Sequence, residues 1–397
     1  MVGLEKGRRS MKKVVVAGSL VLDIEPIPVP GGDFSFLPGR KTGVSSIVFN
    51  LGGVVGNTGV ALARLGMPTF LLGKVGEDVG GRIVSDLLGR LNVPNRLEKV
   101  STLPTSTSIV LPGPNGERMI LQSKGAGQSF IPEDIAPQLL SGVSLLHFGN
   151  PPSMRTLWSE RGKGLVKLLG KVRDCDVATS LGICMPDIEG EAGKQNWKAI
   201  LARSLPLVDL FLPDIEDLLF MLERPLFDRL RQEASAIDAL DLPLIPILAD
   251  ELIAMGTGVV CIKIGKYGLY LRTAGKERIS RIRSLFDTPS MVSAWSDQSL
   301  WIPPCHVPHI VSTKGARDTA TAGFLAAVLS GHGPMEALVL ASQTAARCLM
   351  GVDATSNIPS LSELEKEQSV RFEHFAIASG WRKQGFVYFR ETEEGKA

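Results

Sequence analysis

Short apolar runs recur along this chain, and amphipathic stretches fill most of the gaps between them. Val14-Val15-Val16-Ala17-Gly18 is the first, followed by Thr69 to Leu72, Leu145 to Phe148, Val177 to Ser180, Leu210 to Leu212 and Val259 to Ile264. A run of this length without polar alternation predicts a strand buried on both faces. Between the runs, Ile83, Val84, Leu87, Leu88 and Leu91 share one helical face, as do Leu165, Val166, Leu168, Leu169 and Val172. Strand and helix in alternation predict an α/β fold: a mostly parallel central sheet between two helical layers, with sites at the carboxyl ends of the strands.

Two stretches break the pattern. From about residue 24 to 49 the chain is rich in Pro, Gly and β-branched residues, and 105 to 123 reads as two alternating strands around Pro112-Gly113-Pro114-Asn115-Gly116. Neither has a helix to cover it, which predicts a small β-sheet standing off the main body as a lid. Thr273 to Pro304 has weak periodicity and reads as an extended, partly irregular connection. Residues 1–10 carry no periodicity and read as a disordered extension, leaving 11–397 as one domain. With 43 basic and 41 acidic residues spread along the chain, there is no basic block to track a nucleic acid. No apolar run is long enough to span a membrane, and the expected location is cytoplasmic. Five widely spaced cysteines argue against a disulfide framework, and Cys305, His306 and His309 lack the second pair that a zinc cage needs.

Chemistry concentrates in two places. In STKGARDTATAGFLAAVLSG, residues 312–331, small residues and a carboxylate stand at the mouth of an apolar helix, where free amides and the positive end of the dipole gather. Asp318 either caps those amides, or the amides of Gly315, Ala316 and Arg317 hold a phosphate while Asp318 takes a proton. In LGGVVGNTGVALARLG, residues 51–66, Gly52 and Gly53 permit close backbone approach, Asn57 is read as opening a helix, and Gly66 stops it. Asp23, just beyond the first strand, is a carboxylate able to accept from two adjacent hydroxyls.

Together with GKVGEDVGG (73–81), VDLFLPDIEDL (208–218) and VVCIKIGKYGLYL (259–271), these segments resemble in order and spacing the ribokinase-like PfkB carbohydrate kinases, from about Val14 to Leu364. The resemblance implies a ribokinase-like α/β/α sandwich and transfer of the γ-phosphate of ATP, with magnesium, to a hydroxyl of a sugar, polyol or nucleoside. It makes Asp318 the base and Gly315 to Arg317 the anion hole. Asp23, Gly52, Gly53 and Asn57 then hold the acceptor, Lys263, Gly265 and Gly268 border the nucleotide phosphates, and a homodimer through the lid is implied. The family has Gly where this chain has Arg317, Asp where it has Ser312, and the Asn and Glu of an NxxE motif where it has Asp214 and Asp217. The two aspartates keep carboxylate oxygens for magnesium. Ser312 removes a charge, so a family-like dependence on a monovalent cation is not expected, and Ser342 stands where some relatives carry an Asn near adenine. Two rivals are a nicotinamide-dependent oxidoreductase, disfavoured because Gly18-Ser19-Leu20-Val21 is no GxGxxG, and a pseudo-kinase that binds without transfer, supported by Arg317. A P-loop is excluded by the lack of GxxxxGK[ST].

Overall fold

All six apolar runs become strands of one sheet. The computed structural model describes residues 11–29, 39, 41–112, 118–232, 240–367, 370–374 and 381–390, so the predicted 1–10 extension and the 113–116 part of the turn lie outside the described residues. In chain order the strands are β1 (Val14–Gly18), β2 (Val21–Pro28), β3 (Val44–Gly52), β4 (Thr69–Gly76), β5 (Asn95–Val100), β6 (Thr107–Pro112), β7 (Arg118–Ser123), β8 (Leu145–Gly149), β9 (Ala178–Gly182), β10 (Leu210–Phe211), β11 (Val259–Lys263), β12 (Leu269–Thr273), β13 (Ser299–Ile302), β14 (Trp381–Gln384) and β15 (Val387–Arg390). Among the described residues the large sheet has the order β14-β15-β13-β12-β11-β10-β9-β8-β1-β4-β5. It is parallel from β11 through β5 and antiparallel from β11 to β14.

Alternate residues of β1 enter two different cores. Val14 and Val16 pack with Phe324 and Leu338, from the helices Ala316–Ser330 and Pro334–Leu349. Val15 and Ala17 pack with Leu165 and Leu248, from the helices Arg155–Arg173 and Leu244–Ala254. That two-sided burial is what the unbroken apolar runs require. The amphipathic helix Val79–Leu91 starts where the Asp78 carboxylate accepts from the Gly81 amide at 2.8 Å, and it stops at Asn92 in the left-handed region. Among the described residues, no helix is long and apolar enough to cross a membrane.

The uncovered stretches form a separate four-stranded sheet, β3-β2-β6-β7, with longer strands than the sequence indicated: β2 begins at Val21 and β3 runs to Gly52. β2 is antiparallel to β3 and parallel to β6, and β6 is antiparallel to β7. Thr273 to Pro304 differs from the expected irregular connection. It holds two short helices, Lys276–Ile279 and Pro289–Trp295, as well as β13. Helices of one or two turns are too short to show a period in sequence, and this region is ordered by tertiary contacts such as Trp295 stacked on Phe286 at 5.1 Å.

β1 has β4 on one side and β8 on the other, so the chain reverses its direction of travel across the sheet there and leaves a crevice at the carboxyl ends. The two strand ends meet closely. Gly18 has φ 126°, and a Cβ on it would lie 2.4 Å from the Gly149 carbonyl oxygen. Gly18→Ala is expected to cost about 3 kcal/mol, from the positive φ and the forced backbone shift, and to lower the Tm by several degrees in thermal denaturation followed by circular dichroism.

Candidate active site

A cavity of about 430 Å³ opens at that crevice. Ser19 and Asn150 line it from the ends of β1 and β8, Asp23 and Ser108 from the small sheet, and Lys314 and Asp318 from the start of the helix Ala316–Ser330. A larger cleft, about 740 Å³, lies at the opposite ends of the strands against Val14, Thr69 and Phe70. No carboxylate lines it, so its size does not make it a site for proton transfer.

The helix Ala316–Ser330 starts at Gly315, whose φ of 78° and 2.3 Å clearance from the Ala354 side chain leave no room for a Cβ. Among the described residues, no backbone amide donates to the Asp318 carboxylate, so the cap reading is not what the geometry shows. Its Oδ2 instead accepts from Asn57 Nδ2 at 2.7 Å, and Thr58 Oγ1 donates to the Asp318 carbonyl at 3.2 Å. Burial pushes the Asp318 carboxyl up to about 6, against the opposing effects of the Asn57 bond and the Lys263 ammonium. The amides of Gly315, Ala316 and Arg317 donate to no protein acceptor among the described residues, which leaves a helix-start anion site beside the carboxylate.

Gly52 and Gly53 are required by close approach. A Cβ on Gly52 would stand 2.3 Å from Asp23 Oδ2, and one on Gly53, at φ 72°, 2.5 Å from the Ser19 carbonyl oxygen. Asn57 does not open its helix as expected. The helix begins at Gly53, and Asn57 sits inside a π-helical turn, Val55–Gly59, a widened geometry that turns its side chain toward Asp318. Its Oδ1 is buried without a partner, an acceptor free for a hydroxyl in the cavity that Asn57 lines. Asp23 pairs in register with Asn50 and Ser108, and its Oδ2 lies 2.8 Å from Lys314 Nζ. Burial raises its carboxyl above the ordinary range, with the Lys314 ammonium opposing.

The remaining candidates do not line the cavity, and of these Lys263, Asp214, Asp217 and Arg317 gather against the same helix start. Lys263 Nζ donates to the Leu212 carbonyl and to Thr321 Oγ1, and lies 3.8 Å from Asp214 Oδ1. Gly265 and Gly268 make the tight turn between β11 and β12, where a Cβ on Gly268 would stand 2.0 Å from the Ile302 carbonyl oxygen. Asp217 is buried, and that burial beside Asp214 holds its carboxyl well above the usual range. Arg317 has no positive φ and sits in the first helical turn, with its guanidinium 2.8 Å from Glu216 Oε2 and 3.8 Å from Asp214 Oδ2.

Sequence reasoning missed Glu216 and Lys314. Glu216 lies between two acids that were singled out, and Lys314 directly precedes the helix-start glycine, so their positions beside site residues were the only signal. Cys184 also lines the cavity, but burial pushes its thiol up to about 12, so it is no nucleophile at neutral pH. Cys305 and His306 join no metal cluster: His306 bonds Glu373 at 2.5 Å, and among the described residues no three His, Cys, Asp or Glu side chains assemble to hold an ion.

Comparison with known proteins bears on the family and the fold. The model of the pfkB family of carbohydrate kinases matches residues 11–361. A ribokinase from Arabidopsis thaliana is 24% identical over 360 residues, which are 87% of this chain and 78% of the relative. An uncharacterized sugar kinase from Archaeoglobus fulgidus is 22% identical over 76% of this chain and 98% of its own. Among solved structures, the Arabidopsis ribokinase complexed with ribose and ATP superimposes with a TM-score of 0.65 at 18% identity, covering 90% of this chain and 98% of that one. A fructokinase with bound ATP from Xylella fastidiosa gives 0.64 at 16% identity, with the same coverage of both chains. At these identities the structural matches establish the ribokinase fold.

The raised Asp318 carboxyl gives a pH test of the expected base. If Asp318 takes the proton it must be ionised, and kcat/KM is then expected to rise with pH through a limb near 6 and to level off above it. Asn57→Leu removes the bond that favours the ionised form, and the limb is expected to move to higher pH in initial-rate profiles.

Proposed function

Since the chain belongs to the pfkB family of carbohydrate kinases, phosphotransferases with an alcohol group as acceptor, we propose that it transfers the γ-phosphate of ATP to a hydroxyl of a sugar or sugar-like polyol, with Asp318 as the base. The observation that carries this reading is Asp318 itself. Its carboxylate is held by Asn57, raised by burial, and set beside unpartnered helix-start amides at the end of a polar cavity. In the reaction Asp318 takes the proton of the acceptor hydroxyl while that oxygen bonds to the γ-phosphorus and the bond to the ADP oxygen breaks. The amides of Gly315, Ala316 and Arg317 stabilise the charge on the transferring group. Asp23 and Asn57 Oδ1 accept from neighbouring acceptor hydroxyls, which fixes the reacting one against Asp318. Lys263, Gly265 and Gly268 shape the floor beneath the nucleotide phosphates.

The fit to magnesium rests on Asp214, whose Oδ1 is buried without a hydrogen bond. One such oxygen suits an ion that is otherwise held by water and phosphate, and Asp217 next to it would be ionised by an incoming cation. Bound there, magnesium would neutralise charge on the phosphate oxygens.

Arg317 is assigned to the nucleotide side. Its pair with Glu216 is half-exposed, and a pair of that kind is worth about 0–1 kcal/mol, so a phosphate competes for the guanidinium at small cost. A resting pair with Glu216 and Asp214 is also what a blocked pseudo-kinase would show, and the variants separate the two.

A coupled ADP-release assay over ribose, fructose, sugar acids, inositols and nucleosides, with a no-acceptor control, is expected to show acceptor-dependent turnover. Asp318→Asn is expected to lower kcat by about 10²–10⁴ with ATP affinity retained, and unchanged turnover would remove Asp318 as base. Arg317→Gly is expected to raise the KM for ATP or to lower kcat. A gain of activity in that variant would identify the blocked form instead.

A further inference from the structure

A charge cluster that borders the cavity through Asp23 and Lys314 is one that the motifs did not announce. Lys314 projects from the loop immediately before Gly315, and its side chain is only 10% exposed. Its ammonium lies 2.8 Å from Asp23 Oδ2 and also pairs with Glu25, and both acids belong to β2 of the small sheet. Glu25 is steadied in turn by Asn50 Nδ2 at 3.2 Å, from β3. The Lys314 carbonyl accepts from the Cys348 thiol at 3.1 Å, so its backbone is fixed on the main body while its side chain reaches the other sheet. One ammonium therefore joins the strand that carries the acceptor-binding carboxylate to the loop that carries the base, four residues before Asp318.

We propose that Lys314 is a positioning and specificity-determining residue, whose ammonium clamps Asp23 and fixes the small sheet against the catalytic corner, so that a neutral polyol is presented to Asp318 at the right depth. The proposal rests on the transfer reading above. An ammonium has three N–H donors, and the two acids take two of them, which leaves one for an oxygen of the bound acceptor. Asp23 and Asp318 line the cavity with Glu25 behind Lys314, and the second lining cation, Lys124, is 3.2 Å from Asp187, so the cluster selects against acceptors that carry a carboxylate or phosphate. The charged groups facing Asp23 are Lys314 from the loop and Glu25 from its own strand, and Ser108 from β6 adds a neutral hydrogen bond. With the ammonium removed, burial and Glu25 act on Asp23 unopposed, its carboxyl protonates at higher pH, and an oxygen that accepts from the substrate is lost.

The test compares wild type with Lys314→Met, Lys314→Arg and Glu25→Gln from pH 5.5 to 8.5, using ribose or the best neutral sugar of the panel, and gluconate as the anionic probe. Lys314→Met is expected to raise the acceptor KM at least tenfold, with the KM for ATP within twofold of wild type. Relative to wild type, the variant's acceptor KM should climb further as the pH falls, a comparison that cancels the titration of Asp318. Lys314→Arg should restore most of the loss, and Glu25→Gln, which keeps the Asp23 pair, should lower the gluconate KM relative to the neutral-sugar KM. Amide hydrogen exchange, which needs no turnover, should show faster exchange of residues 21–28 in Lys314→Met. Equal rises in both KM values, no added pH dependence, or unchanged exchange in 21–28 would overturn the proposal. A wild type that releases no ADP with any acceptor refutes the transfer reading instead, and Lys314 is then judged by the exchange data and by calorimetric ribose binding at two pH values. Should Lys314→Met not fold, Lys314→Arg with Glu25→Gln carries the test, and a gluconate KM unmoved by Glu25→Gln refutes the charge selection.

Discussion

The helix Ala316–Ser330 is buried at every position from Thr319 to Leu329, and the arrangement of the site depends on that burial. A helix packed all round cannot slide or rotate without opening voids, because interiors are packed to crystal-like density. Its contact with the helix Pro334–Leu349 is tight enough that a Cβ on Gly323 would stand 2.4 Å from Thr344 Oγ1. The helix therefore delivers its amino end to one place, at the carboxyl end of β1, with amides pointing outward and Asp318 in its first turn. The two threonines near that end use their hydroxyls on the helix's own carbonyls, Thr319 on Gly315 and Thr321 on Arg317, so they add no mobile polar group.

Around this fixed point the charges are arranged unequally. Asp23 meets Lys314, Asp214 meets Lys263, and Glu216 meets Arg317. Asp318 is held instead by a neutral amide, and burial pushes its carboxyl up to about 6. On the proposed reading, that difference in partners separates groups that bind from the group that moves a proton. A carboxylate locked to a cation is a poor base, whereas one that is desolvated and hydrogen-bonded to an amide gains basicity without losing orientation.

Both cations of the helix-start corner have partners in the folded chain. Arg317, where the family pattern has a glycine, sits on Glu216, and Lys314 sits on Asp23 and Glu25. Each is matched by acids from a distant part of the chain, so neither leaves an uncompensated charge at the helix start. The small sheet is tied to the main body by the Lys314 pairing, which on the proposed reading makes acceptor binding and alignment of the base parts of one electrostatic unit.

How much of this was legible in the sequence follows from what is local and what is not. The apolar runs of β1, β4, β8, β9, β10 and β11 are recorded in consecutive residues, because a strand buried on both faces must be apolar throughout. Gly315, Gly52 and Gly53 could be read for a similar reason, since a positive φ or a missing Cβ is a property of one position. The short helices within 273–304, the edge strands β5 and β14, and β15 beside β14 were not, because at such lengths propensity is overridden by contacts with residues far away in the chain. Sequence placed Asp318 at a helix start and Asn57 near a glycine turn, but it left open whether Asp318 was a cap or a base. The tertiary structure shows that among the described residues Asp318 caps no backbone amide, it brings Asn57 Nδ2 within 2.7 Å of the carboxylate across 261 residues, and it alone brings Lys314 to Asp23. Motif residues are chosen by local backbone geometry and so appear in the sequence, whereas the partner of a charge is chosen by proximity in space, which exists only once the sheet has formed.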